Sequence, residues 1–177
     1  MEVTIEEYYK KLYGEPASRK KFLSRDGNRI QILKWNEGQT DLGITLYATI
    51  GSSIILEYQN NTCEFFLGLT PENDSCIDAV AEVAIEGNGI GPPNFGDSIT
   101  ISFALWESTD MKTFLFTDGE DNIPSISVMN KNVRFIQLVP IFSSELEFKT
   151  KYGHKLFWDQ FDLLQVPYWE SDREKVF

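Results

Sequence analysis

One histidine, His154, and two cysteines, Cys63 and Cys76, bound the chemistry this chain could perform. A serine or cysteine nucleophile needs a base beside it, and His154 is the single imidazole that could serve. It lies at the junction of two helical patterns, with no motif that sets it against a nucleophile. One histidine cannot build a histidine-rich metal centre within one chain. The cysteines lack the CxxC spacing of a zinc or redox site and read as reduced, buried thiols. Carboxylates are so abundant that paired acids carry no information. The acidic cluster at 118–122 lacks the spacing of a calcium loop. Gly87-Asn88-Gly89-Ile90-Gly91-Pro92-Pro93 is no phosphate cradle, because a helix precedes it and two prolines follow, whereas a dinucleotide fingerprint needs strand then helix. The residues assign no catalytic group, no cofactor and no metal, and they direct attention to binding.

Charge is the feature that could carry binding. The net charge is −11, and no Lys or Arg occurs between Lys34 and Lys112 while twelve Asp and Glu do. A field this one-sided attracts basic partners and repels nucleic acid, although it equally serves solubility. Asp78, Glu82 and Glu86 recur every four residues along a helix expected over 76–86. Like charges at that spacing cost about 0.2–0.5 kcal/mol per pair. Asp78 is favoured at the positive helix N-terminus, and Glu86 sits at the wrong end. The stripe is either a solvated face or a face turned to a partner. With Glu72, Asp74, Glu107 and Asp110 it makes the candidate partner-binding surface. Trp106 and Trp169 are candidate aromatic anchors if they are exposed.

These groups must be positioned by a scaffold, and residues 133–153 organise it. Val133, Phe135, Ile136, Leu138 and Val139 predict a strand buried on both faces, stopped by Pro140. A helix follows, with Ser144 and Glu147 as a capping box, Glu145–Lys149 and Glu147–Lys151 as i,i+4 pairs, and Gly153 at its end. Upstream, Thr4 and Glu7 cap a first helix over 4–13 that turns Ile5, Tyr8, Tyr9 and Leu12 to one side. Residues 20–24 and 29–35 predict a hairpin around Arg25-Asp26-Gly27-Asn28. Two apolar pieces within 43–57 are broken at Gly51-Ser52-Ser53 by a turn or a bulge. Strands are expected at 62–69, 97–106 and 112–117, and one at 125–129 pairs with 133–139. Asp74 or Ser75 caps the acidic helix. A last helix over 154–164 faces Leu156, Phe157, Phe161 and Leu164 inward.

The composition, 42% hydrophobic and 14% aromatic, supports a real core. A chain of 177 residues suits one domain spanning 1–177, with a polar tail from about 168. No apolar run approaches the roughly 18 residues of a membrane span. The N-terminus lacks the basic and apolar regions of a signal peptide, so a cytoplasmic location is expected.

In this order the chain resembles the suppressor-of-fused (SUFU) domain family from near its start to Arg173. The residues that carry the resemblance are YATIGSS at 47–53, the CEFFLGL strand followed by the CIDAVAEVA helix, and Gly96-Asp97-Ser98-Ile99. After them come Phe135-Ile136-Gln137-Leu138-Val139-Pro140-Ile141, then Glu145, Gly153 and Leu156, and a late Asp172-Arg173. The resemblance implies an α+β fold, a mixed and largely antiparallel sheet with helices packed on it. It also implies a binding protein and no enzyme. Long eukaryotic members restrain a transcription factor in Hedgehog signalling and carry a further C-terminal domain, for which this chain is too short. Short bacterial members resemble immunity proteins or antitoxins that bind and block a cognate toxin domain. The expected partner is therefore a basic protein toxin, and where the toxin is a nuclease an acidic surface competes with the phosphate backbone. A regulatory or scaffold module with an endogenous partner is the alternative.

Overall fold

The computed structural model describes residues 2–86 and 91–177. Gly87, Asn88, Gly89 and Ile90 of the glycine-rich loop lie outside the described residues. Helix α1 (Glu2–Tyr13) leads into the hairpin β1 (Ser18–Leu23) and β2 (Arg29–Trp35), then β3 (Thr45–Ile50), a helical turn α2 (Ser52–Ile55) and β4 (Asn61–Leu69). Next come α3 (Ile77–Glu86), β5 (Ser98–Thr100), β6 (Thr113–Asp118) and β7 (Ile126–Val128). The last elements are β8 (Lys131–Ile141), α4 (Ser143–Tyr152) and α5 (His154–Leu163).

Among the described residues eight strands form one sheet in the order β1-β2-β3-β4-β8-β6-β5, with β7 added to β8. All neighbours are antiparallel except β4 and β8, which run parallel at its centre. Buried residues fill both of these strands, as near-continuous apolar runs in a parallel pair should. Alternate residues serve opposite faces. Ile136 and Leu138 join a cluster with Phe65, Leu67, Val80 and Ala84, so α3 covers that face. On the other face Val133 and Phe135 pack with Ile5 and Tyr9 of α1, and Val139 and Ile141 pack with Phe157 and Phe161 of α5.

Several local expectations change. Pro140 does not end β8, because it pairs opposite Phe114 and the strand runs on to Ile141. The pairing with β4 ends at Phe66 and Gln137, so beyond that point β4 asks no donor of β8, and the Pro140 carbonyl accepts from Arg173 Nη2 at 3.0 Å. Helix α4 is opened by Glu145 and not by Ser144 with Glu147: its carboxylate accepts the Phe142 N–H at 2.9 Å. Glu145 is then taken by Arg173 and is not paired with Lys149. Thr4 lies inside α1, which begins at Glu2. The second apolar piece, 52–55, is a helical turn and not a strand. Only Ser98–Thr100 of the long strand expected at 97–106 is extended. Leu156 and Leu164 are exposed, because α5 buries only Phe157 and Phe161.

The C-terminal segment is fastened and not a free tail. Thr70 gives its N–H to Trp169 and its carbonyl accepts from Ser171, so the segment meets the end of β4. Arg173 closes the other side with a bidentate pair, Nη1 to Glu145 Oε1 and Nη2 to Oε2, both 2.7 Å, fully inside the protein. Its guanidinium lies over the rings of Phe142 and Phe161. Arg173→Met would strand the Glu145 charge in the core and is expected to cost about 3–5 kcal/mol in urea unfolding. The double change Glu145→Gln with Arg173→Met should recover part of that loss. Equal stability of the single variant and the native chain would remove the pair from this account.

Candidate functional site

The acidic surface is built around the start of α3. Asn73 caps the turn at Asp74–Cys76, taking the Ser75 N–H at 3.3 Å and the Ser75 hydroxyl at 2.6 Å. The cap is therefore Asn73, where the sequence suggested Asp74 or Ser75. Ser75 Oγ in turn accepts the Glu107 N–H at 2.9 Å. This bond draws the 101–111 loop onto the helix start, so Glu72, Asp74, Asp78 and Glu107 gather there. Glu82 and Glu86 continue along the outer side of α3, because Ile77, Val80, Ala81 and Ala84 are committed to the core. Asp110 lines an open cavity of about 620 Å³ with residues 142–144 and 171–175.

Cations from outside the Lys- and Arg-free segment temper this surface. Lys34 on β2 is buried at 7% exposure, with Nζ 2.6 Å from Glu72 and 2.8 Å from Asp74. Tyr47 adds a hydrogen bond to Asp74 at 2.9 Å. Burial works to lower the Lys34 pKa, but the two carboxylates outweigh it and hold the ammonium above its ordinary value. For Asp74 burial works upward and is likewise overcome, by Lys34 and Tyr47, so its carboxyl sits below the usual range. Lys20 on β1 pairs with Asp78 at 2.6 Å. Partial burial and the neighbouring Glu86 push the Glu82 carboxyl up. Among the described residues Glu82, Glu86, Glu107 and Asp110 form no ion pair, so they are the least compensated members of the set.

The two tryptophans part company. Trp106 is 3% exposed and donates its ring N–H to the Ser171 carbonyl at 3.0 Å. It anchors the C-terminal segment internally and is not on the surface. Trp169 is 41% exposed. It borders a groove of about 340 Å³ with Leu42 and with Leu46 and Phe66, the last two being side chains of the α1 face. The sheet thus separates Trp169 from the acidic face of α3.

Among the described residues His154 and the two cysteines stand apart from one another in environment. His154 is exposed at the start of α5, with Trp158 against its ring, and among the described residues it makes no hydrogen bond. Partial burial and the positive charge of Lys149 lower its pKa. Burial pushes both thiols, Cys63 and Cys76, far up, the opposite of what a reactive thiolate needs. No group of three or more His, Cys, Asp or Glu suited to a metal occurs among the described residues.

One carboxylate was not singled out as a polar centre by the sequence. Glu64 sits in the middle of β4, fully buried. Its Oε1 accepts N–H groups from Gly51 and Ser53 at 3.0 and 3.1 Å, and its Oε2 meets the hydroxyls of Thr49 at 2.6 Å and Ser52 at 2.7 Å. The YATIGSS segment is therefore a cradle for this side chain. Gly51 makes the cradle possible: its φ is 109°, and a Cβ there would collide with the Arg29 carbonyl. A lone acid inside CEFFLGL was the signal in the sequence.

The mixed, mostly antiparallel sheet with helices packed on it defines an α+β class of fold. The family model for suppressor of fused protein (SUFU) matches residues 26–174, and the chain belongs to that family. Immunity protein YqcF of Bacillus subtilis (strain 168) is 27% identical over 174 residues, covering 92% of this chain and 90% of its own. A SUFU homologue from Neisseria gonorrhoeae FA 1090 has the same fold, with a TM-score of 0.72 at 18% identity over 99% of this chain and 97% of its own. The Sufu-Fu complex structure aligns with a TM-score of 0.66 at 17% identity over 97% of this chain and 90% of that one. Drosophila Suppressor of Fused aligns at 0.65 and 16% identity over 96% of this chain, which spans 49% of it. Among the described residues no helix is long and apolar enough to cross a membrane.

Glu64 makes a pH-dependent contribution to stability. Burial raises its pKa above the ordinary 4.5, against the opposing hydrogen bonds of Thr49, Ser52 and Gly51. The folded state then keeps a proton that the unfolded chain has released. This contribution is full below pH 4.5 and falls as pH rises through the folded-state value. Glu64→Gln should flatten that fall, so its melting temperature gains on the native chain as pH rises from 4.5. Glu64→Ala should cost about 3 kcal/mol or more at any pH, since it orphans several buried donors. Parallel pH profiles for the native and Gln proteins would show that the carboxyl titrates alike folded and unfolded.

Proposed function

We propose that this protein is an immunity protein that binds and blocks a cognate toxin domain in the cytoplasm. It would act by stoichiometric, non-covalent occlusion, with no catalysis and no cofactor. The observation that carries the proposal is the similarity to Immunity protein YqcF along 92% of this chain. The acidic surface of Glu72, Asp74, Asp78, Glu82, Glu86, Glu107 and Asp110 supports a basic partner. A nuclease toxin fits it, because its site must be positive to hold phosphates, and carboxylates can compete for the same cations. Glu82, Glu86, Glu107 and Asp110 would contribute most, since Lys20 and Lys34 already engage Asp78, Glu72 and Asp74.

A second reading is a regulatory or scaffold module with an endogenous protein partner. The likeness to the Sufu-Fu complex structure favours it. Growth rescue separates the two. On the immunity reading the adjacent gene should encode a toxin domain that arrests growth when expressed alone, and co-expression of this protein should restore growth. Lack of rescue, with both proteins soluble, would favour the regulatory module.

Neutralising the stripe tests the surface itself. The triple variant Asp78→Asn, Glu82→Gln, Glu86→Gln should slow association with the toxin roughly tenfold at low salt and flatten its salt dependence. Stopped-flow association at two ionic strengths measures both, and unchanged rates would remove the stripe from the interface.

A further inference from the structure

The edge of the sheet that begins the chain has the opposite character to α3. Eight of the 16 Lys and Arg residues fall within residues 10–34. Some are engaged: Arg19 pairs with Glu6 at 2.7 Å, Lys20 with Asp78, and Lys34 with Glu72 and Asp74. Among the described residues Lys21 and Arg29 form no ion pair. They line a surface hollow of about 590 Å³ with Phe22, Leu23, Ile30 and Gln31, and no carboxylate lines it. Leu23 is 68% exposed there.

Strand β1 also has a free backbone edge. Its one strand neighbour among the described residues is β2. Ser24 gives its N–H to the Asn28 carbonyl at 2.9 Å, which fixes the alternation. Phe22 and Lys20 therefore turn their amides toward β2, and Arg19, Lys21 and Leu23 turn theirs outward. The same three residues project their side chains on the face of the hollow, since Lys21 stands opposite Gln31 and Leu23 opposite Arg29.

We propose that β1 is a docking edge for an extended acidic segment of a protein partner, added as a further strand along Arg19, Lys21 and Leu23. This surface is separate from the acidic one and does not depend on the toxin reading. Backbone pairing would supply the register, Lys21 and Arg29 would meet the acidic side chains, and Leu23 would meet an apolar residue between them. A second copy of this chain fits poorly, because antiparallel pairing of two such edges sets Arg19 and Lys21 against like charges. Nucleic acid fits less well than a strand: the net charge of −11 repels it, and the one aromatic at the edge, Phe22, packs toward the α3 core.

Amide exchange followed by NMR at low salt tests this with an alternating glutamate–valine heptapeptide. Binding should slow exchange at Arg19, Lys21 and Leu23 and leave Lys20 and Phe22 as they are, those amides being already paired with β2. The double reversal Lys21→Glu with Arg29→Glu should weaken binding roughly tenfold or more, and the milder Lys21→Gln with Arg29→Gln should weaken it less, both at unchanged melting temperature. No slowing at the three outward amides overturns the proposal. Equal slowing by the lysine–valine heptapeptide overturns its charge logic, and slowing by an oligodeoxythymidine instead of the acidic peptide assigns the edge to nucleic acid.

Discussion

Everything in this fold answers to the parallel pairing of β4 with β8. Two parallel neighbours cannot be joined by a hairpin, so the chain between them must leave the sheet and return. The excursion from 70 to 130 carries α3 across one face and lays down β5, β6 and β7 on the way back. It is also where most of the acidic surface lies. Being buried on both faces, the pair tolerates a polar group only where donors come to meet it. Glu64 brings the 51–53 turn over β4, and the Pro140 carbonyl, with Glu145 just beyond it, brings Arg173 back across 33 and 28 residues of chain. The turn α2 and the C-terminal segment have their positions because these buried groups need partners.

What was legible in the sequence follows the same division. The apolar run of β8, the β1–β2 hairpin and the inward face of α3 are periodic patterns, and periodicity reports burial directly. The misreadings occur where a distant residue overrides a local rule. Pro140 looks like a stop until a guanidinium occupies the side of the strand that β4 has left. Ser144 with Glu147 looks like a capping box until Glu145, two residues before Glu147 and fixed by Arg173, takes the position. Leu156 and Leu164 read as core by helical spacing, but the sheet offers α5 only the width that Phe157 and Phe161 fill. The strand expected at 97–106 fails because that loop is drawn to α3 by the bond between Glu107 and Ser75 and to the C-terminal segment by Trp106.

Several of the residues that carry the resemblance are of this buried kind. Thr49, Gly51 and Ser52 hold Glu64, and Glu145 holds Arg173, so the pattern records how the sheet is built. That is why it reveals membership and fold so directly and says little about the partner. The side chains proposed to meet a partner lie on the outer face of α3 and in the 107–110 loop, where no packing rule dictates residue type. Only charge remains as a signal there, and charge read along a sequence ignores what the fold brings alongside.

Lys20 and Lys34 show how large that omission is. Linear counting leaves the whole middle of the chain uncompensated, yet these two lysines, from strands formed earlier in the chain, engage Glu72, Asp74 and Asp78. Of the candidate surface, Glu82, Glu86, Glu107 and Asp110 stay without an ion pair among the described residues. On the opposite face of the sheet Lys21 and Arg29 stay unengaged at the β1–β2 hairpin. A molecule charged in this way has a dipole as well as a net charge, and a dipole orients an approaching partner as well as attracting it. An acidic average therefore understates the molecule: whatever approaches it meets an oriented field and not a uniform one.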